Sequence, residues 1–167
     1  MTEEVKRNYL EINSLQDLIE GNKPSEDYSL SLINPINFQL NKFFYKNIGK
    51  KHKWVDRLTW SEEKWISYVS SKNVNSYVFK QKNDLVGFFE LIFHPENKET
   101  EIAYFGILEE YQNKKLGSFL LSEAIKKSFV NNTKRVWVHT CSLDHKNALS
   151  NYISRGMKIF KTEILNI

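Results

Sequence analysis

A mixed α/β (α+β) domain is the fold class this sequence predicts, and three observations predict it. Alternating apolar and polar runs at residues 28–33, 77–93 and 101–108 read as strands. Ile36, Leu40, Phe44 and Ile48 recur every four residues, the signature of one helical face. Across 167 residues, 41% are hydrophobic and only 6 are Gly and 3 Pro, enough apolar material for one core and little for linkers. The expected organisation is therefore a single domain over residues 1–167.

Arg7 to Ile12 reads as a short strand, followed by a turn or weak helix from Ser14 to Glu20. Tyr28 to Ile33 alternates and is a second strand. Asn34-Pro35 has the form of a helix start, with Asn as N-cap and Pro first inside; Gly49 stops that helix. A second helix runs from about Ser61 to Ser70, capped by Ser61 or by Thr59, which has Glu62 at capping-box spacing. Trp65, Ile66 and Val69 mark its buried side.

Tyr77–Phe79 and Leu85–Phe93 form a hairpin about Lys82-Asn83-Asp84, and Glu101–Leu108 continues the meander with Gly106 as its expected bulge. Leu116 to Asn131 has a broad apolar helical face. Arg135–His139 is apolar enough for a central strand. Asn147–Arg155 suits a short helix ended by Gly156, and Met157–Ile164 is a last strand.

Composition excludes several classes of function. One cysteine, Cys141, allows neither an internal disulfide nor a Cys-based zinc site. No apolar run approaches the roughly 20 residues needed to span a bilayer, and Met1–Asn8 lacks the apolar core of a signal peptide. The cytoplasm is the expected location. A net charge of +4 is too small to indicate nucleic acid without a recognised motif.

Chemistry concentrates in Gln112-Asn113-Lys114-Lys115-Leu116-Gly117-Ser118, between a strand and a helix. Free N–H groups and the dipole at a helix start attract phosphate, and two lysines add to this. An ordinary solvated loop has the same composition. A second element, Ala148-x-x-x-Tyr152-x-x-x-Gly156-Met157, lies about 30 residues on. With the element order, these two motifs give the chain a resemblance, over residues 28 to 163, to the GNAT superfamily of acyl-CoA N-acyltransferases. That family's loop reads Gln/Arg-x-x-Gly-x-Gly/Ala, and its later element Ala-x-x-x-Tyr-x-x-x-Gly-Phe. Lys115 departs from the pattern at the first loop glycine, and His145, with Asn147 nearby, stands where the family often has Asn.

The resemblance implies a central, mostly antiparallel sheet with helices on both faces. It also implies acetyl-CoA as co-substrate, held at its pyrophosphate by Gln112 to Ser118 and along its pantetheine by the backbone of Ile107 and Leu108, with Asn147 near the cofactor arm. Tyr152 is expected to protonate the leaving thiolate and Glu101, with Glu90 in reserve, to deprotonate the acceptor amine. Both glutamates also read as plain strand carboxylates. The implied partner is a small-molecule or peptide amine, without nucleic acid or membrane; a homodimer is left open. A non-catalytic acyl-CoA-binding module is the alternative.

Three of the four Trp lie within twelve residues, at Trp54, Trp60 and Trp65. Trp54 and Trp60 can face an ammonium group, and Arg57 can hold a carboxylate by two hydrogen bonds. The same rings can simply anchor the second helix. His139, Cys141, Asp144 and His145 invite a triad or metal reading, but their spacing fits no zinc pattern. A local hydrogen-bond network is the preferred reading.

Overall fold

The computed structural model describes residues 3–166. Among these residues, seven strands form one sheet: β1 (Glu4–Ile12), β2 (Tyr28–Leu32), β3 (Val74–Gln81), β4 (Asp84–His94), β5 (Glu99–Ile107), β6 (Arg135–Cys141) and β7 (Lys158–Asn166). Four α-helices among the described residues accompany them: α1 (Phe38–Gly49), α2 (Glu62–Val69), α3 (Leu116–Ser128) and α4 (Ala148–Ser154). The strand order is β2-β3-β4-β5-β6-β1-β7. Among the described residues, only β5 and β6 pair in parallel. No helix among the described residues is long and apolar enough to cross a membrane.

Alternation along the strands divides the apolar residues between two faces. Phe79, Phe89, Leu91, Ile102, Val136 and Val138 join Leu116, Leu120, Leu121, Ala124 and Ile125 of α3 in the larger core, with Tyr152 and Met157. Val78, Phe88 and Leu108 face the other way and meet Phe44 and Ile48 of α1. Helices therefore cover both faces of β3–β5, as expected.

Several local expectations are corrected. Helix α1 begins at Phe38, because Asn37 rather than Asn34 caps it: Leu40 N–H donates to Asn37 Oδ1 at 3.3 Å. Ile36 thus falls outside the helix and is exposed. Gly49 is the last helical residue, where a side chain would collide with Trp54. For α2, Ser61 is the cap, its Oγ accepting from Lys64 N–H at 3.1 Å. Trp65 and Val69 are buried but Ile66 is 40% exposed, since it lies a third of a turn away from the packed stripe.

The bulge expected at Gly106 lies instead at Ala103. Glu90 pairs with Tyr104 and Leu91 with Ile102, leaving Ala103 unmatched. The extra residue resets the alternation, so that Phe105 and Ile107 join Ile102 on the α3 face. Gly106 instead admits Ile48, whose Cγ2 would lie 2.7 Å from a Cβ there.

Parallel pairing of β5 with β6 covers only Glu99–Glu101 against Arg135–Trp137. Beyond it the strands diverge and leave a wedge in the sheet. Strand β1 pairs with both β6 and β7, which brings residues near the start of the chain to the wedge.

Candidate active site

A cleft of about 960 Å³ occupies the wedge and crosses the sheet. Its walls come from β5, the loop before α3, β6, α4, the loop after α1, and β1. Two chemically different ends follow from the two faces.

On the α3 face lies the loop of Gln112 to Ser118. Asn113 and Lys115 both adopt the left-handed conformation, with φ of 64° and 63°. This backbone turns the chain into α3, whose first N–H groups receive no side-chain cap. A Cβ on Gly117 would meet only Asn151 Nδ2, at 3.6 Å, so the space before the helix is open. Asn151 Nδ2 also donates to the Gly117 carbonyl at 3.1 Å, which fixes α4 against the start of α3. Uncapped N–H groups, open space and the nearby side chains of Lys115 and Arg155 suit a pyrophosphate. Lys114 does not line the cleft; its ammonium lies 5.3 Å from the centre of the Tyr111 ring.

Backbone polarity corrects one expected contact. Leu108 N–H donates to Val86 O at 2.8 Å and so points to β4, away from the wedge. Because peptide groups alternate along a strand, Phe105 and Ile107 turn theirs to the open edge. Ile107 O already accepts from Gln112 Nε2 at 3.1 Å, leaving its N–H. The edge available to an added amide is thus Phe105 and Ile107 rather than Ile107 and Leu108.

Tyr152 stands on the same face, buried on α4 with its ring centre 6.4 Å from that of Phe105. Burial, aided by Asp144, raises its pKa well above the phenol range, so the hydroxyl keeps its proton. Asn147 lines the cleft at the start of α4, but its side chain makes no cap; its N–H donates to His145 Nδ1 at 3.1 Å.

Glu101, Trp54, Asp56, His139 and Arg7 gather at the other end of the cleft. Glu101 is half-buried, and its Oε1 lies 3.0 Å from His94 Nε2. Desolvation first, and Arg7 second, hold the pKa of His139 below the ordinary imidazole value. Cys141 is shifted upward, chiefly by burial, which keeps the thiol protonated and a poor nucleophile. Asp144 Oδ2 accepts from Thr140 Oγ1 at 2.5 Å and from Cys141 N–H at 3.0 Å, so this carboxylate organises its own turn.

Three residues expected at the acceptor end are placed elsewhere or already engaged. Glu90 is fully buried beneath α1 and α2, accepting from Arg57 Nη1 at 2.9 Å, Tyr68 hydroxyl at 2.8 Å and Asn41 Nδ2 at 2.8 Å. Arg57 lines the cleft, yet its charge is spent on Glu90 and its guanidinium carbon lies 4.3 Å from the ring centres of both Tyr68 and Tyr104. Trp60 packs on Trp65 and Tyr68 outside the cleft. Arg7, His52, Lys53 and Asn151 also line the cleft and His94 contacts Glu101; strand pairing brings Arg7 and His94 there, and helix packing brings Asn151.

No curated protein matches the chain in sequence. Among solved structures, a GCN5-related N-acetyltransferase from Sphaerobacter thermophilus superposes on 99% of this chain and 52% of its own, with a TM-score of 0.73 and 14% identity. One from Kribbella flavida gives 95%, 56%, 0.66 and 14%. Spermidine N-acetyltransferase from Vibrio cholerae, in complex with CoA and spermine, gives 85%, 96%, 0.63 and 16%. At such identities the likeness concerns the fold. The chain spans little more than half the length of the first two. The model of the acetyltransferase (GNAT) family matches residues 38–157. On that match, and with the wedge and the α3 loop that accompany it, the chain belongs to the GNAT family of acetyltransferases.

Proposed function

We propose that this chain, acting as a single domain, transfers an acetyl group from acetyl-CoA to a primary amine by direct attack. One observation carries the reading: the cleft joins the open start of α3 and Tyr152 on one face of the sheet to Glu101 on the other. A thioester lying in the wedge would have its sulfur toward Tyr152 and its carbonyl carbon open to an amine arriving past Glu101.

The start of α3 would hold the pyrophosphate, and Phe105 and Ile107 would pair with the pantetheine amides as a strand edge does. A free amine with a pKa near 10 is mostly protonated at neutral pH. Glu101 takes its proton directly or through one water, and His94, in contact with Glu101 and partly exposed, offers the proton a way to solvent. The nitrogen then forms the C–N bond as the C–S bond breaks, and the proton it sheds in becoming an amide passes to water, balancing the one the thiolate later takes up. Full proton transfer from the Tyr152 phenol to a thiolate is uphill, since thiols titrate near 8.5. Its hydroxyl instead donates a hydrogen bond to the developing negative sulfur, which is protonated afterwards from water.

The test is thiol release from acetyl-CoA across a panel of amines, with wild type and Glu101→Gln. Glu101→Gln should lower the rate at pH 7 and recover in part at higher pH, where more amine is neutral. Its affinity for CoA should not change. CoA binding without thiol release for any amine would overturn the reading in favour of a binding module.

A further inference from the structure

Three basic side chains line the acceptor end of the cleft: Arg7, Lys53 and Arg57. Lys53 Nζ is 2.7 Å from Glu3 Oε2, and Arg57 Nη1 is 2.9 Å from Glu90 Oε1. Both charges are therefore answered from within the chain. Arg7 differs. Among the described residues it forms no ion pair and no side-chain hydrogen bond, and its Nε is buried without a partner.

Among the described residues, no neighbouring carboxylate pairs with Arg7. Glu163 is its register partner on β7 and feels the Arg7 charge, but forms no ion pair with it; that carboxylate lies 3.2 Å from Lys161 Nζ. Asp144 is engaged by Thr140 and Cys141. Glu101 is engaged by His94. Cys141, directly across on β6, is a protonated thiol. Arg7 shares its strand face with Val5 and Tyr9, and Tyr9 pairs with His139, so the guanidinium belongs to the face where the amine arrives.

We infer that Arg7 anchors a carboxylate of the acceptor, so that the amine acetylated by this chain belongs to an amino acid or another compound bearing both amine and carboxylate. This rests on the reading of the cleft as an acetyl-transfer site. A guanidinium presents paired donors that match a carboxylate in two parallel hydrogen bonds. With the carboxylate on β1 and the base on β5, the two anchors grip opposite groups of one small molecule across the wedge. Asp56, also in the lining, adds attraction for the ammonium form before it loses its proton.

The experiment compares free amino acids, their amides and their decarboxylated amines, using wild type, Arg7→Gln and Arg7→Lys. In wild type the amide and the amine should show KM values at least about tenfold above that of the acid, equivalent to ~1.4 kcal/mol. Arg7→Gln should raise KM for the acid by about the same factor, with kcat nearly kept and KM for the amide unmoved. Arg7→Lys should restore part of the preference. Equal KM for acid and amide in wild type, or an equal loss on both in Arg7→Gln, would overturn the inference while leaving acetyl transfer in place. Tryptophan fluorescence of the CoA-bound protein, titrated with the acid and the amide, reads the same preference without turnover. Stronger binding of the acid there supports the anchor even where no thiol is released; equal binding overturns it.

Discussion

Arg57 Nη1 lies 2.9 Å from Glu90 Oε1, and this ion pair, with its members 6% and 0% exposed, is the polar centre of the α1–α2 face. Glu90 also receives Tyr68 and Asn41, and Tyr45, Trp60, Trp65 and Tyr104 enclose the guanidinium. The loop after α1 is thereby fastened to β4, which sets the wall carrying Trp54 and Asp56. Removing one charge strands the other in a site shut off from water. Glu90→Gln should cost about 3–5 kcal/mol of stability. The double variant Arg57→Met with Glu90→Leu should recover much of that loss. Urea unfolding measures both, and equal loss in the two would show that the hydrogen bonds, not the unpaired charge, dominate.

Gly117→Val tests the pyrophosphate assignment. The space a side chain would enter is empty of protein apart from Asn151 Nδ2, so the fold should tolerate the change. CoA affinity should fall at least about tenfold, ~1.4 kcal/mol, by calorimetric titration. Lys115→Gly is the companion. Lys115 sits at φ 63°, a conformation costing a residue with a Cβ about 1–2 kcal/mol. Glycine should raise stability by a part of that, because it also loses more entropy on folding. If CoA affinity drops at the same time, the ammonium of Lys115 contacts phosphate.

Tyr152→Phe keeps the ring in the core and removes the hydroxyl. Because burial holds the phenol protonated across the neutral range, the wild-type rate should show no titration of this group below pH 10. The variant should lose about 10²-fold in kcat with CoA affinity nearly unchanged. Full activity would return Tyr152 to a packing role.

Gly156 has φ 104°, and a Cβ there would lie 2.2 Å from the carbonyl oxygen of Asp17. Gly156→Ala must move the turn after α4 or the segment at Leu15–Asp17. A loss of at least about 2 kcal/mol in unfolding free energy is expected, large for a one-methyl change. A loss below half of that would show that the contact relaxes easily.

His139 supplies a pH test. Its folded pKa is depressed by burial and Arg7, so the unfolded chain binds more protons below about pH 6.5. Stability is then fully present above that pH and declines as pH falls toward the lowered folded value. His139→Gln should flatten the decline of the urea midpoint between pH 6.5 and 5, and an unchanged slope would assign it to other groups.

Local patterns made much of this molecule legible. Asparagine, lysine and other polar residues between Leu108 and Leu116 announced a loop before a helix, because helix starts and turns are chosen by neighbouring residues. The Tyr152 and Gly156 spacing marked the short helix for the same reason. Element types were equally readable, since apolar periodicity is a property of consecutive residues. Tertiary structure alone decided what depends on distant partners. Strand β1 sits between β6 and β7, more than a hundred residues away in sequence, and so Arg7 reaches the cleft while Arg57, the arginine favoured by its tryptophan-rich setting, is consumed by Glu90. The bulge at Ala103 arises from the register with β4, not from the nearby glycine. Strand pairing and charge neutralisation are set across the fold, and no stretch of sequence records which partner a side chain will meet.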